Sequence, residues 1–160
     1  MAPLIALVVV TLLARLAGAR GLAGGTFATW SGSLRAGVAA LFLMTGAAHF
    51  IGLRDDLIKM VPPVFGNPGL WVTLTGVAEL AGAVGILLPA TRRPATAGLA
   101  LLLLALFPAN VYAALNHIPF AGEPATPLVP RTLEQLVFLA AVVWAGFGER
   151  AQSPRRARLA

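Results

Sequence analysis

Cysteine is absent from the 160 residues. The chain therefore forms no disulfide, runs no dithiol exchange on its own side chains and offers no thiolate to an iron–sulfur centre. Any redox chemistry has to come from a cofactor or a partner. Charge is scarce too: 11% of the residues are charged and six are acidic, against about 25% charged in ordinary soluble domains. Two-residue alternation of apolar and polar side chains is missing, which argues against a membrane β-barrel. No P-loop, nucleophile elbow, dinucleotide fingerprint or metal-ligand spacing occurs. No catalytic residue and no metal site is therefore assigned.

Apolar side chains fill the space. Hydrophobic residues make up 58% of the chain and the mean hydropathy is +0.84, the composition of an integral membrane protein. Four runs reach or approach bilayer length: Arg35 to Gly52, Gly69 to Pro89, Ala95 to Leu115 and Thr132 to Gly148. They predict an all-α polytopic membrane protein with a four-helix core. A fifth run, Pro3 to Ala19, carries Arg15 near its end, where the guanidinium can snorkel to a headgroup. We read it as an additional N-terminal transmembrane helix. It could instead lie along the inner surface, or, since Ala17-Gly18-Ala19 imitates a cleavage site, be a signal peptide; the missing basic n-region argues against the latter. The chain divides into an apolar helix and connection at 1–30, a bundle at 31–149 and a basic cytoplasmic tail at 150–160.

Basic residues set the expected orientation. With the amino end outside, Arg15, Arg20, Arg35, Arg92, Arg93, Arg150, Arg155, Arg156 and Arg158 fall on the cytoplasmic face, leaving Arg54, Lys59 and Arg131 outside. The net charge of +6 then reads as topology signal and anchorage to anionic lipid, not as a nucleic-acid surface. The expectation is a multi-pass protein of a cytoplasmic membrane with its carboxy terminus inside. Between helices, Arg54 to Met60 forms an amphipathic turn before Pro62-Pro63, and the loop from Asn116 to Arg131 is rich in proline. Trp71 and Tyr112 mark the outer boundary, and Trp30, Trp144 and Phe147 the inner one. Small residues at four-residue spacing, including Ala78 with Gly82 and Ala81 with Gly85, would let helices pack closely.

Polar residues gather in the outer half. Glu79 lies ten residues into an uncharged run, hence ~15 Å deep at 1.5 Å per residue. An ionisable group at that depth is costly and marks function by default. Above it, His49 and Asn110 lie roughly 5 and 8 Å below the surface, with Arg131, Glu134 and Gln135 opening the last helix. Pro108, two residues before Asn110, removes one backbone hydrogen bond and can bend its helix. Glu79, His49, Asn110, Arg131 and Gln135 are the candidates for ligand binding or proton handling. Each has a plainer role open to it: Glu79 as a helix clamp, His49 and Asn110 as interhelical hydrogen-bonders, and Arg131 paired with Glu134 on the helix surface. A haem held by His49 and His117 is disfavoured, since no second histidine pair and no haem motif is present.

Leu34-Arg35, Gly46-Ala47-Ala48-His49-Phe50, Met60-Val61-Pro62-Pro63, Thr75-Gly76-Val77-Ala78-Glu79-Leu80, Leu87-Leu88-Pro89, Phe107-Pro108-Ala109-Asn110 and Leu133 to Gln135 follow one another in the chain. In this order they resemble the DoxX-like family of small bacterial membrane proteins, from about Leu34 to Ala145. The resemblance implies a four-helix membrane core, so Pro3 to Ala19 would be an added helix. It also implies an accessory subunit of a membrane redox complex, with His49, Glu79 and Asn110 at the family's polar motif positions. Three classes of function follow: a subunit binding a small apolar or quinone-like ligand, a small carrier or proton-coupled transporter, and a scaffold without ligand. The nearly wholly apolar inner halves of the core helices weigh against the carrier.

Overall fold

The computed structural model describes residues 1–148; the expected tail with Arg150, Arg155, Arg156 and Arg158 lies outside them. Among the described residues the chain forms six α-helices and no strand: α1 Ala2–Ala19, α2 Trp30–Ala48, α3 Arg54–Met60, α4 Pro68–Leu87, α5 Arg92–Leu115 and α6 Leu128–Phe147. Four of them, α1, α4, α5 and α6, are long and apolar enough to cross a membrane. The protein is an all-α multi-pass membrane protein.

Local chemistry explains where the helices begin. The Thr29 side chain accepts the Gly32 N–H at 3.1 Å and starts α2 at Trp30, five residues ahead of the apolar run. Asn67 does the same for the Leu70 N–H at 3.1 Å, with Pro68 at the first position of α4. Helix α6 starts at Leu128, four residues earlier than the run suggests, because Pro130 falls in its first turn, where no N–H partner is lost. Helix α5 runs unbroken through Pro108.

Consecutive long helices run in opposite directions, which leaves α1 and α6 parallel. Arg15 of α1 stacks over the Trp30 ring at the start of α2, Gly76 of α4 meets His49 at the end of α2, and Gly85 near the end of α4 meets Ala95 near the start of α5. Gln135 of α6 bonds Leu103 of α5, and the Met1 amino group lies 3.8 Å from Glu134 of α6. One end of the bundle therefore carries Arg15, Arg20, Arg92 and Arg93, and the other carries α3 and the loop from Asn116 to Pro127. Outward-facing Leu74, Val77, Val84, Leu101, Leu104 and Leu136 are exposed, as expected where the surrounding medium is hydrocarbon.

Helix α2 packs against α1, α4 and α6 and supplies Val38, Leu41 and Phe42 to the core, where they meet Ala83, Ile86, Leu99 and Val142. It is 19 residues long but is not one of the four helices long and apolar enough to cross a membrane. Its Ser31, Ser33, Arg35 and Thr45 are accommodated because neighbouring helices, not lipid, surround most of it. Arg35, expected as a surface anchor, is only 6% exposed and donates from Nε to the Ser31 carbonyl at 3.2 Å. The correction has a simple cause: a guanidinium on the central helix turns along its own backbone.

At the opposite end, α3 is the expected short amphipathic helix. Asp56 accepts from Lys59 at 2.9 Å and, through its other oxygen, from the Ala121 N–H at 3.0 Å. One carboxylate thus ties the two long loops together. The Lys59 ammonium and the Ala121 amide hold this carboxyl below its ordinary value of 3.8.

Candidate functional site

Glu79 is buried, 4% exposed, in the seam between α2 and α4. Two glycines bring the helices close enough to enclose it. A methyl group at Gly46 would lie 3.2 Å from the Glu79 Cβ and 2.9 Å from Leu80; one at Gly76 would lie 2.5 Å from the His49 Cβ. Glycine is therefore required at both positions by the approach of the opposite side chain. Across the seam the Thr45 hydroxyl donates to Glu79 Oε2 at 2.5 Å. Its distance to the Leu41 carbonyl is 3.2 Å, so the single proton serves the nearer carboxylate.

His49 follows Thr45 by one turn and caps α2. It is 5% exposed, and its Nδ1 lies 2.9 Å from the Thr45 carbonyl. Thr45 therefore touches both titratable groups, one through its hydroxyl and the other through its backbone. Arg54 closes the network above: Nη1 donates to the His49 carbonyl at 2.9 Å, and Nη2 donates to the Gly69 carbonyl at 3.1 Å and to the Thr73 hydroxyl at 2.9 Å. A cation over the carbonyl end of α2 is also favoured by the helix dipole. Glu79 Oε1 and His49 Nε2 accept or donate no hydrogen bond among the described residues.

The other candidates form a separate group on α5 and α6. Arg131 Nη1 donates to Asn110 Oδ1 at 2.8 Å, leaving Arg131 Nε buried without a hydrogen-bond partner among the described residues. Glu134, for which a surface pairing with Arg131 was the plainer alternative, lies 3.8 Å from the Met1 amino group and still acts on Arg131 through its charge. Gln135, 8% exposed, donates to the Leu103 carbonyl at 2.6 Å. That carbonyl lies one residue before the one that Pro108 cannot bond. Among the described residues no hydrogen bond joins this group to Glu79. The structure thus links Glu79 to His49 through Thr45 and joins Asn110 to Arg131, with Gln135 on the Leu103 carbonyl, where one vestibule was expected. His117 is exposed in the loop after α5 while His49 is buried.

Thr45 and Arg54 are the residues that sequence reasoning did not single out. Thr45 had a signal, since Thr and His four residues apart share a helix face. Arg54 had none, because its partners lie 5, 15 and 19 residues away across a turn.

Clefts on the surface of the described residues lie away from the α2–α4 seam. One of about 350 Å³ lies between α1, α2 and α6, and one of about 310 Å³ lies beside Arg92 and Arg93; neither is lined by Glu79.

The fold and the Glu79 seam define a multi-pass helical membrane protein with a carboxylate enclosed between two helices. Residues 38–146 match the family described as a domain of unknown function (DUF8561), and the chain belongs to that family. The matched stretch runs from α2 into α6 and leaves α1 ahead of it. No curated protein and no solved structure matches the chain.

Proposed function

We propose that this chain is a DoxX-like accessory subunit of a bacterial membrane redox complex, in which Glu79 and His49 receive the polar head of a small apolar or quinone-like ligand. The observation that carries this reading is the half-satisfied network: Thr45 holds one oxygen of a buried carboxylate and one side of an imidazole through its carbonyl, while Glu79 Oε1 and His49 Nε2 make no hydrogen bond to described residues. A carboxylate and an imidazole on one network suit proton exchange with a reducible ring. The chain would sit in the cytoplasmic membrane with its carboxy terminus inside, following the arginine-rich end. With no cysteine to carry electrons, oxidation and reduction belong to the ligand and a partner.

Decylubiquinone binding to the detergent-purified protein tests this. Glu79→Ala should abolish binding and Glu79→Gln weaken it at least tenfold, with helix content retained. Wild-type affinity in both variants rejects the proposal.

A second reading, Glu79 as a clamp in a ligand-free scaffold, is favoured by its burial in the α2–α4 seam with the Thr45 hydroxyl donating to it across the seam. That reading expects no binding by the wild type and a lower melting temperature for Glu79→Ala. A transporter is disfavoured by Ala83 and Ile86, fully buried one and two turns beneath Glu79 on the same face, which interrupt any polar path.

A further inference from the structure

Helices α1 and α6 both pack on α2, and the cleft of about 350 Å³ opens between them, lined by Leu7, Thr11 and Leu12 of α1, Leu34 of α2, and Val137 and Trp144 of α6. Its lining is apolar throughout: even the Thr11 hydroxyl is turned back onto the Leu7 carbonyl at 2.6 Å. Along α1 the lining covers Leu7 to Leu12, about 8 Å at 1.5 Å per residue. It runs from near the middle of the helix toward its arginine-bearing end. An occupant therefore belongs to one leaflet and enters from one side.

The chemistry at that entrance is basic and aromatic. Arg15 follows Leu12 and Thr11 by three and four residues, so it stands on the same face one turn beyond the cleft. Its guanidinium lies over the Trp30 ring, 5.6 Å from the ring centroid. No hydrogen bond to a described residue engages its N–H donors, which stay available to an anion. Trp30 lies four residues before the lining Leu34, and Trp144 lines the cleft itself. Both rings are exposed, at the depth where tryptophan meets headgroups. The acidic residues between 1 and 148 are Asp55, Asp56, Glu79, Glu123 and Glu134. All lie at the other end or mid-bundle, so no described carboxylate opposes a phosphate here.

We propose that the α1–α2–α6 cleft binds one acyl chain of an anionic phospholipid, with the lipid phosphate held by Arg15. The site uses no residue of the Glu79 network and stands independently of the quinone-like reading. It gives α1, which precedes the DUF8561 match, a task of its own: it forms one wall of a lipid site with α6.

Tryptophan quenching by brominated lipid tests the site in phosphatidylcholine vesicles, using full-length protein with Trp71→Phe so that Trp30 and Trp144 report. Dibrominated phosphatidylglycerol should quench at a mole fraction at least threefold lower than dibrominated phosphatidylcholine. Ala140 of α6 also lines the cleft; Arg15→Gln should remove this preference, and Ala140→Phe, which fills that wall, should reduce quenching by the anionic lipid. Arg93→Gln, at the same end but on α5, should leave both unchanged. Equal quenching by the two lipids in the parent protein overturns the proposal. So does a preference surviving both Arg15→Gln and Ala140→Phe, or one lost equally in Arg93→Gln, which would mark general surface charge.

Discussion

At Thr45 a hydroxyl supplies the one hydrogen bond that Glu79 receives in the seam between α2 and α4. Thr45→Val keeps the shape and removes the donor, leaving a buried carboxyl without a partner. The expected loss is about 1–3 kcal/mol of stability, read as a lower midpoint in detergent unfolding, whereas Thr45→Ser should retain most of it. Asp56 offers a residue-scale test in the loops at the α3 end. Its carboxyl is held below 3.8 in the folded protein, so its contribution is fully present above that value and is lost as pH falls through the lower folded value. Amide exchange at Ala121 should therefore quicken under acid at pH below 3.8. Asp56→Ala should show the same quickened exchange already at neutral pH.

Helix α4 depends on its neighbours through close contacts at glycines. Gly76→Leu would drive a side chain into the His49 ring, and overpacking of this kind costs about 1–3 kcal/mol. The expected result is a lowered melting temperature and a more exposed His49, seen as a shifted imidazole NMR titration. Apolar runs made the existence of α4, α5 and α6 legible, and the depth of Glu79 made its burial legible. The ends of helices were less visible. Ser31-Gly32-Ser33 reads as polar loop until Thr29 is recognised as a cap, and Pro127 and Pro130 read as a stop although a first turn tolerates them. The pairing of polar residues was not legible, because depth along a helix does not say which way a side chain faces. His49 and Asn110 lie at similar depth, yet one turns to the α2–α4 seam and the other to Arg131 on α6.

At the scale of the whole molecule, the arginine-bearing end and the α3 end lie on opposite sides of the bundle. The absence of native cysteine makes sidedness directly measurable. A single cysteine at Leu57 on α3 should react with an impermeant maleimide in intact spheroplasts, and one at Ala90 between α4 and α5 only after lysis. Labelling of both from one side would contradict the alternating path.

Helix α2, with its serines, arginine and threonine, is a poor candidate to partition into lipid unaided, although it is the element around which α1, α4 and α6 assemble. Its entry during biosynthesis should then be cooperative, with α1 arriving first and shielding it. A chain begun at Gly21 should leave much of the newly made α2 untranslocated, detectable as protease-sensitive protein, while the more greasy α4 and α5 still insert. The polar heart of the bundle thus makes the order of synthesis part of how the protein is built.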